Sequence, residues 1–377
     1  MSERREFEVI VIGTGIAGAS LAYFLAQHGC GDVLLLEREA QLAYHSTGRS
    51  AATLSSADSN PTLQAIKIAS APFFREPVPG FAESPLLRET GVIALYPEPA
   101  WSRVRAAAPA MQASGLGCTL LSVDEVLTRV PFVDPTQFAG AMLIARDGRL
   151  DVHEILSSYL RHARAGGAQQ RLGLAVEGLI VEGGRCRGVR TAAGELRARL
   201  VVDAAGAWAG TIAQLAGASP IALVPHRRTI VTFAPPPGVT IGDWPMVASD
   251  AQSLYFVPEA GDLLLSPMDE DPMAPCDATP DATVIAAGLE RFARLAPALA
   301  PRALKRRWSG LRTFSPDRVH VVGEDPQLPG FFWLGGQGGC GIETSPLIGR
   351  VAADLIVHGH SDAFDTALLS PARFLTA

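Results

Sequence analysis

The sequence predicts an α/β fold in which a buried parallel sheet is covered by helices on both sides. Three neighbouring elements carry this prediction: an apolar, β-branched run at residues 7–12, a helical stretch at residues 19–27, and a second apolar run at residues 33–36. Short runs without polar alternation are typical of strands in a parallel sheet, because both of their faces are covered. Together the three elements form a βαβ unit, the basic piece of a Rossmann-like domain.

Length, composition and charge exclude several classes of protein. The 377 residues suffice for two or three domains of ~150 residues each. With 48% hydrophobic and 19% charged residues the chain is not disordered, and a net charge of −6 has the wrong sign for binding nucleic acid. Five scattered cysteines, without the spacing of a metal site, indicate a reducing compartment. We expect a cytoplasmic protein, or one at the periphery of a membrane, with no leader peptide, transmembrane segment, metal or nucleic-acid partner.

A glycine-rich turn, Gly13-Thr-Gly15-Ile-Ala-Gly18, joins the first predicted strand to the helix. In this pattern Gly13 permits the tight turn, Gly15 lets the backbone approach a pyrophosphate, and Gly18 allows close packing of the helix. Glu37 ends the second strand, where a carboxylate accepts hydrogen bonds from the hydroxyls of an adenosine ribose. These features predict a dinucleotide site. The carboxylate disfavours a 2′-phosphorylated nucleotide, although Arg38 beside it leaves that alternative open.

The first motif does not distinguish a nicotinamide from a flavin dinucleotide, but two later segments do. Predicted strands between residues 175 and 202 form a meander that runs into a turn of small residues at 204–208. Residues 335–341 contain five glycines in seven positions and precede a predicted helix at 346–356. Bare backbone of this kind brings amide groups and a second helix N-terminus toward a ligand, which favours a large cofactor held from several sides.

The sequence resembles the D-amino-acid oxidase superfamily of FAD enzymes over nearly the whole chain. The motifs that carry the resemblance occur in the order typical of that superfamily: the glycine turn, residues 44–52, residues 204–208 and residues 331–345. Some segments are most similar to the bacterial D-arginine dehydrogenases of that superfamily. They are residues 37–40, 45–52, 244–246, 310–312 and 337–342.

The resemblance implies two interleaved domains. A Rossmann-like FAD-binding domain of the glutathione-reductase type would comprise residues 1–75, 141–219 and 305–377. An α+β cap domain with a mostly antiparallel sheet would comprise residues 76–140 and 220–304 and cover the substrate. The cap would include strands predicted at 91–96, 229–233, 253–257 and 263–266 and a helix predicted at 280–297.

The resemblance also implies that FAD is the cofactor and that it is held noncovalently. Gly310 stands where sarcosine oxidases attach flavin through a cysteine, and His45, a covalent anchor in some relatives, is expected to make a structural hydrogen bond. The residues expected to contact FAD are Gly13, Gly15, Ile16, Ala17, Gly18, Glu37, Arg38, Ser46, Thr47, Arg49, Ser50, Ala51, Ala52, Thr53, Val176, Ala205, Gly206, Trp208, Gly338, Gly339, Cys340, Gly341, Ile342 and Glu343.

Four residues are expected at the substrate. Flavin-dependent oxidation of an amino acid depends on positioning, and an arginine fork is the natural clamp for the carboxylate. By resemblance, Arg312 and Tyr255 match the family's carboxylate clamp and Arg228 an active-site arginine, while the carbonyl of Gly339 would accept from the substrate ammonium. Arg227 should face the opposite side of its strand.

Three positions depart from the D-arginine dehydrogenase pattern. Thr53, Asp58 and Val92 stand where those enzymes have a histidine, a lid tyrosine and a glutamate that binds the substrate side chain. The pocket for a guanidinium side chain is therefore expected to be absent, which favours an apolar side chain. Asp58 could still favour a cation, but its loop context favours a capping or surface role.

The expected activity is FAD-dependent dehydrogenation of a D-amino acid, in which the α-hydrogen passes as hydride to flavin N5 and the imino acid hydrolyses to a 2-oxo acid and ammonia. A glycine- or sarcosine-type oxidase is the alternative enzyme, and a non-catalytic flavin-binding subunit is the alternative of another class. The sequence leaves open whether a quinone or oxygen accepts the electrons, which side chain is accepted, and the oligomeric state.

Overall fold

A computed structural model describes residues 5–375, which form twenty β-strands and eight α-helices. In chain order these are β1 (Glu6–Ile12), α1 (Ile16–Gln27), β2 (Val33–Leu36), β3 (Thr53–Leu54), α2 (Pro61–Arg75), β4 (Leu87–Arg88), β5 (Val92–Tyr96), α3 (Ala100–Ala113), β6 (Cys118–Leu121), α4 (Val123–Arg129), β7 (Gly140–Ile144), β8 (Gly148–Leu150), α5 (Val152–Ala165), β9 (Gln169–Arg171), β10 (Val176–Glu182), β11 (Arg185–Thr191), β12 (Gly194–Asp203), α6 (Ala209–Ala216), β13 (Val224–Phe233), β14 (Met246–Ser249), β15 (Leu254–Glu259), β16 (Asp262–Ser266), α7 (Ala282–Leu295), β17 (Arg306–Phe314), β18 (Val321–Glu324), β19 (Phe331–Gly335), β20 (Gln337–Gly338) and α8 (Gly341–His358).

The first sheet has a parallel centre. Its strands follow the order β10-β11-β12-β1-β2-β9, with β19 beside the second half of β12 and β18 beside β19. Strand β1 runs parallel to β2 and to β12, and β12 runs parallel to β19. Strands β10, β11 and β12 form an antiparallel meander. The predicted βαβ unit and the predicted meander are both confirmed.

Alternate residues of β1 belong to two different cores. Val9 and Val11 pack with apolar residues of α1, α5 and α8, whereas Ile10 and Ile12 pack with residues of the meander and of α6. Because both faces of the strand are buried, its sequence shows no polar alternation. This placement fixes the glycine turn that follows β1 at the carboxyl end of the sheet, where α/β folds bind their ligands.

The second sheet has nine strands in the order β20-β17-β13-β16-β15-β14-β5-β7-β6. All neighbouring pairs are antiparallel except β14 and β5. One face packs Phe233 and Phe256 against Phe292 of α7. The other face carries Ile230 and Met246, which line a large cavity. The predicted mostly antiparallel sheet is therefore present. Strands β3, β8 and β4 form a separate small antiparallel sheet.

The nine-stranded sheet draws on segments that the sequence analysis assigned to both domains. Strands β7 and β17 belong to it, although residues 141–219 and 305–377 were predicted for the FAD-binding domain. Strand β17 pairs with β13 along its whole length, which places Arg312 inside a strand of this sheet. The exact domain boundaries stay a prediction.

Helix α8 begins at Gly341, earlier than the predicted start at residue 346. Pro346, the first residue of the predicted helix, lies inside α8, at its second turn. Among the helices of residues 5–375, none combines the length and apolar character needed to cross a lipid bilayer.

Candidate functional site

The glycine turn after β1 is packed tightly against the end of β12. Gly13 has a φ angle of 104°, and a Cβ atom there would lie 2.5 Å from the carbonyl oxygen of Ala204. A Cβ atom on Gly18 would lie 2.1 Å from the carbonyl oxygen of Gly13. Both positions therefore require glycine for backbone packing. Gly18 is not among the residues that line the cavity; its predicted packing role is present, and its contact with the cofactor stays a prediction.

Gly15 marks the N-terminus of α1, which carries no side-chain cap. A Cβ atom on Gly15 would have Thr47 Oγ1 as its nearest neighbour, at 3.2 Å. The same hydroxyl oxygen accepts a hydrogen bond from the backbone N–H of Ile16 at 3.1 Å. The first turn of α1 thus presents backbone N–H groups and the positive end of the helix dipole to the cavity, as phosphate binding requires.

The carboxylate of Glu37 is held at the end of β2 by three hydrogen bonds. Its Oε2 accepts from the backbone N–H and the hydroxyl of Thr14, at 3.2 and 3.0 Å, and its Oε1 accepts from the N–H of Glu39 at 3.1 Å. Oε2 thereby uses both of its lone-pair positions, whereas Oε1 keeps one for a ribose hydroxyl. The guanidinium of Arg38 lies 4.6 Å from the ring centre of Trp208, where it stacks on the aromatic face.

A single cavity of about 1050 Å³ connects this turn to the nine-stranded sheet. It exceeds the ~300–1,000 Å³ of most small-molecule pockets. Except for Gly18, every residue predicted to contact the cofactor or the substrate lines this cavity. The structure therefore brings together the glycine turn after β1, the turn of small residues at 204–208 and the glycine run at 335–341.

Residues 44–53 form one wall of the cavity, and their side chains fix this wall to β17. The hydroxyl of Ser46 donates to the carbonyl oxygen of Leu311 at 2.6 Å, and the indole N–H of Trp308 donates to the carbonyl oxygen of Arg49 at 3.2 Å. Arg49 also pairs with Asp277 at 2.6 Å. These side chains hold the segment in place while its backbone faces the cavity.

His45 has structural partners, as expected. Its Nε2 lies 2.9 Å from Oε1 of Glu39, and its ring centre lies 4.5 Å from that of Trp208. The hydrogen bond and the ring contact orient the imidazole at the edge of the cavity. Noncovalent attachment of the cofactor stays a prediction.

Three polar side chains converge on the cavity from one face of the nine-stranded sheet: Arg312 on β17, Arg228 on β13 and Tyr255 on β15. The side chains of Arg228 and Tyr255 are buried, and Arg228 Nη1 and Tyr255 Oη have no hydrogen-bond partner within residues 5–375. Burial, and then the like charge of Arg312, lower the pKa of Arg228 to about 10. The two guanidinium groups and the free hydroxyl face one another. An anion bound between them would accept hydrogen bonds from these donors with its oxygens.

Arg227 faces the opposite side of β13, as predicted. Its Nε lies 3.2 Å from Asp269 and its Nη2 lies 2.7 Å from Asp271, so its charge is neutralised away from the cavity. Arg228 has one neutral hydrogen bond, from Nε to the carbonyl oxygen of Asp269 at 2.8 Å, and a longer approach of 3.6 Å to Glu270. The strand thus separates a structural arginine from one that is available to a ligand.

A buried ion cluster, absent from the sequence analysis, lines the same cavity. Lys67 Nζ lies 2.9 Å from Oδ2 of Asp58 and 3.0 Å from Oε1 of Glu343. The other oxygen of Glu343 accepts from the backbone N–H of Ser55 at 2.7 Å. Asp58 also accepts from the N–H of Asn60 at 2.9 Å within its loop. The side chain of Asn60, not that of Asp58, caps α2, so Asp58 has an unexpected ion pair instead of the expected capping role.

The sequence contains a signal that points to Lys67. Helix α2 buries Leu63, Ile66, Ser70 and Phe74, and Lys67 falls on the same stripe at helical spacing. Lysine is rarely buried unless it is paired with a carboxylate. A lysine in an apolar stripe therefore indicates a buried ion pair, although its partners lie far away in the chain.

The cavity fits a flavin adenine dinucleotide at several points. The N-terminus of α1, whose N-cap residue Gly15 has no side chain, suits the pyrophosphate, and Glu37 suits the ribose. At the other end, α8 begins beside the glycine run, and its N-cap residue Cys340 makes no side-chain cap. A second set of free backbone N–H groups is thereby directed at the cavity. Fold and site define a dinucleotide-binding oxidoreductase.

Comparison with known proteins identifies the family. Residues 8–355 match the model of the DAO family, described as FAD dependent oxidoreductase. The chain belongs to this family, and FAD is its cofactor. The predicted closer similarity to D-arginine dehydrogenases is not confirmed by the relatives described below and stays a prediction.

Two curated relatives illustrate the similarity in sequence. Hydrogen cyanide synthase subunit HcnC of Pseudomonas aeruginosa is 31% identical over 236 residues, which cover 62% of this chain and 55% of that protein. Mitochondrial sarcosine dehydrogenase of Mus musculus is 26% identical over 379 residues, which cover 94% of this chain and 40% of that protein. The chain spans about half the length of most of the curated relatives it matches.

Two solved structures show the same fold. L-proline dehydrogenase from P. horikoshii superposes with a TM-score of 0.89 at 23% identity, over 99% of each chain. Glycine oxidase from Geobacillus kaustophilus superposes with a TM-score of 0.83 at 25% identity, over 97% of this chain and 98% of that one. The FAD-binding domain with a substrate cap is therefore the fold of this chain.

Proposed function

We propose that this protein oxidises the carbon–nitrogen bond of an amino acid whose carboxylate is held by Arg312, Arg228 and Tyr255. One observation carries the proposal: Arg228 Nη1 and Tyr255 Oη are buried donors without a partner within residues 5–375, and they lie beside the second guanidinium. Buried donors of this kind are costly, about 1–3 kcal/mol each, unless a ligand accepts from them. A carboxylate supplies two oxygens in one plane and matches an arginine fork.

The cavity walls beside the clamp determine which substrate side chains can bind. Ile230, Met246 and Met268 line the cavity next to Tyr255 and pack in one apolar cluster. Val92, which stands where the D-arginine dehydrogenases have a glutamate, belongs to that cluster and is buried. An apolar side chain gains burial against these residues, while a guanidinium would lose its hydration without a partner. The preferred substrate is a small or apolar amino acid.

The chain's own residues bind and orient the substrate, and FAD, when bound, supplies the acceptor for the hydride. Arg312 and Arg228 hold the carboxylate, and Tyr255 fixes its plane. The carbonyl of Gly339, next to Arg312, accepts from the amine. Most of the rate then comes from positioning, which supplies about 7–11 kcal/mol in well-oriented systems.

D-amino acids are the first candidate substrates, because the segments around residues 45–52 and 337–342 resemble the D-arginine dehydrogenases. Glycine and N-methylated amino acids are the second candidates. The relatives favour this second class, since they include a sarcosine dehydrogenase, a dimethylglycine dehydrogenase and a 4-methylaminobutanoate oxidase. Both classes have a carboxylate, which the clamp would bind, and an adjacent C–N bond, which the flavin would oxidise.

Anaerobic bleaching of the flavin tests the proposal. The FAD-loaded protein is mixed without oxygen with D- and L-amino acids, glycine, sarcosine and N,N-dimethylglycine, and the absorbance of oxidised flavin is followed. Loss of that absorbance with one class identifies both the chemistry and the substrate class. A protein that binds FAD but is bleached by no member of the panel would be the non-catalytic flavin subunit.

The variant R312M provides the matched test of the clamp. It should keep its FAD and require at least tenfold more substrate for half-maximal bleaching, because an arginine–carboxylate bond contributes about 1.5–3 kcal/mol. R318M is the control, since Arg318 lines the same cavity but is half exposed and paired with Glu270 at 2.8 Å. Equal substrate requirements in R312M and the wild type would contradict the clamp.

A further inference from the structure

The proposed function requires a group that takes a proton from the substrate. An amino acid enters as an ammonium ion, and its nitrogen needs a free electron pair before the adjacent C–H bond can be oxidised. We propose that Glu343 accepts this proton, with Lys67 and Asp58 as the residues that position and charge-balance it. The proposal rests on the proposed function and adds an acid–base residue to it.

Glu343 lies in the same cavity as the proposed carboxylate clamp. Glu343 lies in the first turn of α8, directly after the glycine run that contains Gly339. Glu343, Lys67 and Asp58 all line the cavity that contains Arg312 and Tyr255. The carboxylate of Glu343 has two lone-pair positions beyond those used by Lys67 and Ser55. It can therefore accept a proton from a group inside the cavity.

The charges of the cluster favour this proton transfer. Lys67, Asp58 and Glu343 carry one positive and two negative charges, so the cluster has a net charge of −1. A substrate held by the arginines brings its ammonium, with one positive charge, into the same buried space. Transfer of one proton neutralises both the ion cluster and the ammonium, which is favourable where solvation is weak. The second carboxylate of the cluster remains paired with Lys67.

The other carboxylates at this end of the cavity are less suited to accept the proton. Glu270 lies 2.8 Å from Arg318 and 3.6 Å from Arg228, and these cations lower its pKa despite its burial. It is therefore a weaker base. Asp250 is exposed, so solvent rather than the cavity stabilises its charge. Glu343 is the carboxylate whose pKa burial raises, as a proton acceptor near neutral pH requires.

The groups around Glu343 favour the same role. Lys67 on α2 attracts its charge, and the buried Asp147 repels it. Cys340 stays a thiol, because burial raises its pKa to about 12. His320 stays neutral, because burial, and then the charge of Lys67, lower its pKa to about 3. Neither neighbour competes for the proton, and Asp58 is the remaining charged group in contact with Lys67.

The step is balanced in atoms and electrons. One N–H bond of the substrate ammonium breaks, one O–H bond forms on Glu343, and the electron pair of the broken bond stays on nitrogen. Oxidation of the substrate by two electrons follows as the FAD chemistry of the family. The proton returns to solvent after the product leaves.

The test compares E343Q with the wild type in the FAD-loaded protein. Bleaching at neutral pH should slow by about 100-fold, the lower end of what general acid–base catalysis supplies. The rate should recover as the pH is raised toward the pKa of the free amine, because the substrate then enters already deprotonated. D354N is the matched control. Asp354 is a buried carboxylate on the same helix, 2.8 Å from His28, and is not among the residues that line the cavity.

A binding measurement separates acid–base chemistry from loss of structure. 2-Aminoisobutyrate has an amine but no α-hydrogen, and 2-methylpropanoate has an α-hydrogen but no amine, so neither can be oxidised to an imine. Calorimetry should show that E343Q weakens binding of the first at least tenfold and binding of the second less than twofold. If E343Q fails to fold, the double variant E343Q/K67M, which removes both buried charges, takes its place.

Two results would overturn the inference. One is a bleaching rate of E343Q that has the same pH dependence as that of the wild type. The other is an E343Q variant that loses affinity equally for 2-aminoisobutyrate and for 2-methylpropanoate. Failure of the proposed function looks different: the wild type itself would then bind neither analogue and would be bleached by no amino acid.

Discussion

The guanidinium of Arg312 lies against the backbone of Gly339, so closely that a Cβ atom at position 339 would be 2.6 Å from Arg312 Cζ. Real Cβ atoms do not approach other atoms this closely, so any side chain at this position displaces the arginine. Gly339 therefore determines where the proposed carboxylate clamp stands. The contact links the glycine run before α8 to strand β17.

The variant G339A should move Arg312 without removing its charge. We expect at least a tenfold rise in the substrate concentration for half-maximal anaerobic bleaching, because an arginine–carboxylate pair tolerates little displacement. G117A is the control, since a Cβ at Gly117 would meet no atom within 4 Å. An unchanged substrate requirement in G339A would show that Arg312 is not the clamp.

The hydroxyl of Tyr255 is buried and has no partner within residues 5–375. The variant Y255F removes this hydroxyl, so it should raise the free energy of unfolding of the ligand-free protein by about 1 kcal/mol. The same change should weaken binding of 2-methylpropanoate about tenfold, since a hydrogen bond to a charged acceptor contributes about 1.5–3 kcal/mol. Urea unfolding and calorimetry measure the two effects. A variant that loses stability and keeps its affinity would place the hydroxyl outside the acid site.

Local sequence was sufficient to predict the cofactor half of the site. The turn after β1, Glu37 and the glycine run at 335–341 each depend on a short stretch of chain whose backbone conformation glycine makes recognisable. These three segments meet because each follows a parallel strand, β1, β2 or β19, and the three strands end at the same edge of the sheet.

The charged part of the substrate half could not be predicted in the same way. The ion pair between Lys67 and Glu343 joins α2 to α8, and the repulsion between Arg228 and Arg312 depends on the register of β13 and β17. Such pairs follow from tertiary packing, and a single sequence carries no periodic signal for them. Strand alternation did predict that Arg227 and Arg228 face apart, since that depends on two adjacent residues.

Gly15 and Gly18 should respond differently to alanine. A Cβ at Gly15 would lie 3.2 Å from Thr47 Oγ1, a tight contact that a small shift of the Thr47 side chain relieves, whereas a Cβ at Gly18 would lie 2.1 Å from a backbone oxygen. We expect G15A to fold with a free energy of unfolding within about 1 kcal/mol of wild type and to bind FAD more weakly, because the methyl group occupies the path of the pyrophosphate. G18A should lose about 3 kcal/mol or fail to fold, because backbone must move. Fluorescence titration with FAD and urea unfolding of the apoprotein separate the two effects. Equal losses of stability would contradict the division of roles.

Asp203 should make the stability of the protein depend on pH. Its side chain ends β12 in full burial, Oδ1 accepts from the N–H of Ala205 at 3.1 Å, and Oδ2 has no partner among the described residues. Burial raises its pKa from 3.8 to about 8. Between these values the unfolded chain releases a proton that the folded protein keeps, so this residue lowers stability as the pH rises. The variant D203N cannot ionise and should lose this dependence.

Urea midpoints of the wild type and D203N, taken from about pH 5 to about pH 8, check this expectation. The urea midpoint of D203N should rise relative to that of the wild type as the pH rises. D317N is the control, because side-chain and backbone hydrogen bonds, including those from Arg373, lower the pKa of Asp317 despite partial burial, and its titration lies below this range. A difference between wild type and D203N that stays constant with pH would mean that Asp203 is ionised in the folded protein, with a cation or donor supplied by the bound cofactor or by solvent.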